Sequence, residues 1–331
     1  MRPVLLFLLL LLALPGCHPR QPDDPDWLAY RQRFIEGGRV IDRGNGQVSH
    51  SESQGFGLVL AEAHADQETF AQIWQWTRHN LQRQDLPLFA WRYDPAASPP
   101  VQDLNNASDG DILIAWALQR AADRWQNADY ARSATAIRQT IARQLIRQQA
   151  GYHLLLPGLQ GFERDDHLVL NPSYLIYPAL LAFARQAPEE GWEQLIRDSL
   201  QLLVRARFGH YRLPPDWLAL YPDGRLLPAP GWPARFSYDA VRIPLYLVWG
   251  DTPVRSPLLE PFRQFWHCCG DRMPAWTDLE NSQQAPYQAS PGIRAIAGLL
   301  DSPPAPDSPP DPDEGYYSAS LRLLARVAAR P

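Results

Sequence analysis

Apolar positions recur at three- and four-residue intervals through most of the chain, and short polar turns bearing Pro, Gly or Asp interrupt them. That spacing predicts helices at about 55–65, 68–83, 109–125, 129–148, 173–186, 190–206, 239–249, 256–268, 291–300 and 315–329. Strand patterns are few, with residues 152–156 and 208–213 the best short candidates. Strands and helices do not alternate, so a parallel α/β sheet is not expected. A long helical series with loops of variable length predicts hairpins packed in a ring or a bundle. Residues 301–313 (DSPPAPDSPPDPD) form a proline-rich connector. The final amphipathic helix that follows carries Leu321, Leu324 and Val327 on the side expected to dock on the body. Nothing divides residues 27–300, so a single domain over 27–331 is expected.

The N-terminus carries a different pattern. Met1-Arg2 is a short positive start, and Val4 to Leu14 is an apolar stretch too short to span a bilayer as a helix. Leu14-Pro15-Gly16-Cys17 resembles a bacterial lipoprotein signal. Residues 1–16 are then a signal peptide, Cys17 the lipidated residue and 17–26 a tether. The expected location is the periplasm or outer membrane of a Gram-negative cell. If Cys17 stays unmodified, the protein is secreted.

Composition narrows the chemistry. The 331 residues are 45% hydrophobic and 20% charged, a globular balance, and the net charge of -5 gives no basic surface for nucleic acid. There is no lysine, which excludes Schiff-base lysine chemistry and a Walker-type phosphate loop. Twelve tryptophans and thirteen tyrosines provide faces for sugar stacking or for filling a core. Three cysteines make no disulfide framework. Cys268 and Cys269 are adjacent and could join only through a strained eight-membered ring, so two buried thiols are expected. His267 lies beside them, yet no second ligand pair stands at zinc spacing, and no metal is expected.

Three segments place acids in unusual settings. Glu52 lies in SESQGFG, just ahead of an apolar helical run. It is either a first-turn acid after a capping serine or a carboxylate held at a junction and aimed into a cleft. Asp109 and Asp111 fall in the first turn of ASDGDILIAWALQRAADRW, which Ser108 can cap and whose Ile112, Ala115, Trp116 and Ala122 line a buried side. The chain turns apolar at once, so calcium is not expected, and Asp109 is either a cap-region acid or a group aimed at a polar ligand. Asp239 sits in FSYDAVRIPLYLVWG with Arg242 three residues on. The pair is either a structural salt bridge or a buried acid with work to do.

Together these residues resemble glycoside hydrolase family 8, in particular the cellulases encoded beside bacterial cellulose synthases. The run from Ala107 to Trp125 is similar to that family's signature over its full length, and SESQGFG resembles its proton-donor segment. Asn171-Pro172-Ser173-Tyr174 and residues 237–242 (SYDAVR) are two further landmarks, and residues 213–217 (LPPDW) resemble the cellulose-synthase-associated subgroup. Ser53 stands where the family usually has glycine. The region after about Ala285 is short for the subgroup.

The resemblance implies an all-α (α/α)6 barrel of six inner and six outer helices. It also implies an inverting endo-β-1,4-glucanase acting on cellulose beside a cellulose-secretion machine, without metal or organic cofactor. Glu52 is then the general acid and Asp239 the general base, on opposite sides of one groove. Asp109 would bond the sugar at the cleavage point and favour a distorted ring. Tyr238 and Arg242 would orient Asp239 and the water, Tyr174 would line the same subsite, and Trp91 would stack on a neighbouring glucosyl ring. A helix N-terminus lowers the pKa of an acid beside it, so the Asp109 carboxylate and an apolar wall are expected to offset that effect and keep Glu52 protonated. The alternatives are a chitosanase or xylanase of the same family, or a non-catalytic glucan-binding lipoprotein.

Overall fold

The computed structural model describes residues 24–270, 272–301, 311 and 313–329. The signal segment, Cys17 and most of the proline-rich connector lie outside the described residues. Among the described residues are eleven α-helices: α1 (Pro25–Phe34), α2 (Ser51–Ala63), α3 (Gln67–Asn80), α4 (Ser108–Trp125), α5 (Ala128–Leu145), α6 (Tyr177–Gln186), α7 (Trp192–Arg205), α8 (Ile243–Trp249), α9 (Glu260–His267), α10 (Pro291–Gly298) and α11 (Tyr316–Ala328).

Their packing order defines the architecture. Helix α2 packs on α4, α4 on α6, α6 on α8, α8 on α10 and α11, α10 on α11, and α11 back on α2. This closes a ring of six inner helices. Outside it, α1, α3, α5, α7 and α9 lie against α11, α2, α4, α6 and α10. The fold is an (α/α)6 barrel, with five outer helices among the described residues. Burial follows the ring. Residues 108–118 of α4 are buried on every side, as an inner helix requires, whereas α7 buries a single face through Leu195, Ser199, Leu202 and Leu203. Trp27, Trp192, Trp266, Tyr246 and Phe56 are fully buried, and side chains of this size each contribute about 1.5–3 kcal/mol by leaving water.

Helix α1 replaces part of the expected tether. Asp24 caps it by accepting the Asp26 N–H at 3.0 Å, and Pro25 occupies the first turn, where an N–H has no helical partner. The last helix docks as expected: Leu321, Leu324 and Val327 are buried. Arg322, also buried, pairs with Glu314 at 3.0 Å and reaches Asp26 of α1 at 3.1 Å, which ties the two ends of the described chain together.

Strand structure is confined to loops. The expected strand at 152–156 forms as Tyr152–Leu155, paired with Ile146–Gln149. Residues 208–213 do not form one. They make a tight turn closed by a single bridge between Phe208 and Leu213, with Gly209 and Arg212 both at positive φ. A three-stranded antiparallel sheet joins Leu168–Leu170, Leu218–Leu220 and Leu226–Pro228 beside the later site residues.

The cysteine expectation is corrected. Cys268 and Cys269 are joined as a disulfide, and both are exposed. They lie just past the end of α9, whose buried face is taken by Phe262, Phe265 and Trp266, leaving the pair on the solvent side.

Candidate active site

Four inner helices present their N-terminal ends to one cleft. Glu52 is the second residue of α2 and Asp109 the second of α4, Tyr174 ends the 3-10 turn Pro172–Tyr174 ahead of α6, and Asp239 precedes and Arg242 ends the 3-10 turn Ala240–Arg242 that leads into α8. Helix N-termini carry partial positive charge, so this end of the barrel favours acids. The cleft has a volume of about 160 Å³ and is lined by His50, Ser51, Glu52, Trp91, Ala107, Asp109, Tyr174, Asp239 and Arg242.

Two glycines bring α2 and α4 together. A Cβ on Gly110 would stand 2.3 Å from Ser51 Oγ and 2.7 Å from the Glu52 backbone nitrogen; one on Gly55 would stand 2.6 Å from Leu113 Cβ. Backbone at that distance cannot yield, so glycine at 110 is what allows Asp109 to start its helix beside Glu52. The first turn of α2 is fixed on its other side by Ser53, whose hydroxyl accepts the His50 N–H at 2.9 Å and donates to the His50 carbonyl at 2.7 Å. The residue that departs from the family pattern therefore serves as a helix cap.

Arg242 is the centre of the charge arrangement. Only 3% of its side chain is exposed. One terminal nitrogen contacts Glu52 Oε1. The other lies 2.8 Å from Asp239 Oδ1, 2.8 Å from Ser173 Oγ and 3.7 Å from Asp109 Oδ2. The guanidinium also lies over the Tyr174 ring, 5.9 Å from its centroid. Three carboxylates from distant parts of the chain thus share one cation. The pairing of Asp239 with Arg242 is present, and it extends to Glu52. The direct neighbour of the Glu52 carboxylate is a cation, where the sequence had pointed to Asp109 and an apolar wall.

Burial governs the remaining acids. It pushes Asp109 up to about 7, against the opposing pull of the Gly110 N–H at 2.8 Å. It also raises Asp239 well above the usual carboxylate range, helped by the charges of Asp216 and Asp109 and opposed by the Asn171 amide. Asp111, fully buried, is pushed up to about 8; its oxygens accept the Phe89 N–H at 3.0 Å and the Asn106 amide at 2.7 Å, which anchors the two loops that frame Trp91. Ser108 is the first helical residue, and Ala107 occupies the cap position.

The aromatic wall is well defined on the Glu52 side. Trp91 is 37% exposed, its indole N–H donates to Asp103 at 2.9 Å, and its carbonyl accepts the Ser51 N–H at 3.0 Å. The His50 ring stacks on it at 5.9 Å and 15°. Burial, with the Arg92 charge, lowers His50 to about 4, so that ring is neutral near pH 7. Tyr238 is placed differently from the other expected residues. Its hydroxyl lies 2.8 Å from that of Tyr287 and half of the residue is exposed, outside the set that lines the cleft. The sequence reading omitted His50, Ser51, Asn171 and Ser173 as site residues, although the last two lie within the Asn171–Tyr174 landmark.

Comparison with known proteins decides the family. Residues 12–330 match Glycosyl hydrolases family 8. The chain belongs to that family. It is 43% identical to an endoglucanase of Cellulomonas uda over 85% of this chain and 78% of that protein. Among solved structures it resembles a family 8 endo-β-1,4-glucanase from an Achatina fulica gut metagenomic library, with a TM-score of 0.89 and 42% identity over 94% of this chain and 99% of that one. A family 8 endoglucanase from Klebsiella pneumoniae gives a TM-score of 0.89 and 43% identity over 92% and 98%. This family 8 protein is a glycoside hydrolase.

Proposed function

We propose that the protein is an endo-acting β-1,4-glucanase that hydrolyses cellulose-type chains with inversion at the anomeric carbon. The observation that carries this reading is that Glu52 and Asp239, from distant parts of the chain, face one open cleft with Asp109 and an aromatic wall beside them. Glu52 protonates the leaving glycosidic oxygen. Asp239 removes a proton from the water that attacks the opposite face of the sugar. Asp109 holds a hydroxyl of the distorted ring, and Trp91 and Tyr174 provide apolar faces for glucosyl rings. Glu52 must give up its contact with Arg242 to act as an acid. A sugar entering the cleft separates the two and excludes water, and both changes favour the neutral carboxylic acid.

The test is a product profile with anomer detection. The α-anomer should be released first from cellulose oligomers and carboxymethyl-cellulose, with little turnover of xylan or chitosan. A β-anomer burst would overturn inversion; preference for xylan or chitosan would overturn the substrate class.

We further propose that the enzyme is exported and anchored by lipid at Cys17, working on glucan beside the cellulose-secretion machinery in the periplasm or at the outer membrane. Support comes from the apolar segment at residues 4–14 and from Cys17 following Leu14-Pro15-Gly16. Labelled palmitate should enter the wild-type protein and not Cys17→Ser. Absence of label from both would leave a secreted enzyme.

A further inference from the structure

Asp216 is a buried acid to which the chemistry above gives no role. It lies in the loop before the Leu218–Leu220 strand and is 7% exposed. Among the described residues, no arginine or histidine is in ion-pair range of its carboxylate. All of its partners belong to the short segment that carries Asp239. Oδ1 accepts the Ser237 N–H at 2.9 Å and the Ala240 N–H at 2.8 Å, and Oδ2 accepts the Ser237 hydroxyl. Its own backbone N–H donates to the Arg235 carbonyl at 2.7 Å, which locks the two segments together from the other side. Burial pushes this carboxyl above its ordinary range, and the donors from Ser237, Asp239 and Ala240 oppose that push and favour its ionised form.

We propose that Asp216 is a positioning residue for Asp239: it clamps the 237–240 turn so that Asp239 faces the cleft, and its uncompensated negative charge makes Asp239 a stronger base. This rests on the reading of Asp239 as the general base. A carboxylate near a second carboxylate holds its proton more tightly, and a base that holds a proton more tightly draws one from water more readily. The charge of Asp216 is among the causes that raise Asp239. The other charged and titratable groups facing Asp239 are Arg242 on its own turn, Asp109 from α4, Tyr174 from the turn before α6 and Tyr317 from α11, with Glu52 of α2 reached through Arg242. All of them remain when Asp216 alone is changed.

Asp216→Asn is the informative variant. The amide oxygen can still accept the two backbone N–H groups, and the Ser237 hydroxyl can turn from donor to acceptor, so the clamp survives while the charge is lost. The acid limb of kcat/KM should move to lower pH by roughly half a unit to one unit, and the plateau kcat should fall severalfold, with the unfolding temperature nearly unchanged. A folded Asp216→Asn enzyme with an unmoved acid limb overturns the proposal. Asp239→Asn is assayed alongside it. If that variant is inactive while the Asp216→Asn limb stays put, the assignment of the base stands and only the role of Asp216 falls. If Asp239→Asn remains active, the assignment of the base falls as well. Should Asp216→Asn fail to fold, carbon-13 carboxyl NMR of Asp109→Asn decides, because the other carboxylate that raises Asp239 is then gone, and the Asp239 signal is identified by its loss when Asp239→Asn is added. A two-step titration of that signal is the expected mark of a second carboxylate in contact, and a single step overturns the proposal.

Discussion

Glu52→Gln should lower kcat on carboxymethyl-cellulose by about 10²–10⁴-fold, yet leave much of the activity on a cello-oligoside whose leaving group is a dinitrophenolate. The amide keeps the size of the side chain and can still accept from Arg242, so the cleft is little disturbed. What it lacks is a proton to give. A sugar alkoxide is a poor leaving group and depends on that proton, whereas dinitrophenolate departs without it. Asp239→Asn should behave differently and depress both substrates alike, because water needs its base whichever group leaves. Steady-state kinetics of the two variants on the two substrates therefore assign acid and base separately. Equal losses for Glu52→Gln on both substrates would remove Glu52 from the acid role.

Ten of the eleven helices were legible as apolar periodicity, and their inaccuracies have local causes. Helix α2 begins at Ser51, four residues before the expected start, because its first turns pack through serine and glycine and show no apolar stripe. Helix α6 begins at Tyr177, after a 3-10 turn, because Pro178 is accommodated only at the start of a helix. Helix α1 was missed although Trp27, Tyr30 and Phe34 stand at helical spacing and all are buried. The acids around them and the proline before them read as tether. The same Asp24-Pro25 pair is in fact a helix-start signal.

The site was legible where an acid interrupts an apolar or tightly turned segment, which is why Glu52, Asp109 and Asp239 stood out. Residues whose importance lies in what they touch across the barrel were not. Asp216 looks like a loop acid until the Ser237 and Ala240 N–H groups are seen to point at it. Arg242 looks like the helical partner of Asp239 until its second nitrogen is found on Glu52, 190 positions away in the numbering. Gly110 looks like a spacer until the backbone of Glu52 is found against it. Local sequence carries propensity and pattern, whereas these contacts are set by how six helices close into a ring.

Replacing Arg242 should have the largest combined effect on activity and stability. Arg242→Met keeps much of the side chain's bulk but leaves Glu52, Asp109 and Asp239 without their shared cation, and removing one partner of a buried ion pair costs about 3–5 kcal/mol. The cost should depend on pH in a definite direction. Asp109, at about 7, and Asp239 are already raised above their unfolded values, and loss of the cation raises both further. Groups with raised folded pKa values bind protons more tightly in the native state, so the stability they confer is present at low pH and is lost as pH rises through the folded values. The deficit of Arg242→Met relative to wild type should therefore be small near pH 5 and large near pH 8, read from unfolding midpoints at both. Arg242→Lys should recover part of the stability at pH 8 and little of the activity, since one ammonium cannot reproduce the planar fork that holds Glu52 on one nitrogen and Asp239 with Ser173 on the other. An equal deficit for Arg242→Met at both pH values would mean that its packing, and not its charge among three acids, is what the barrel requires.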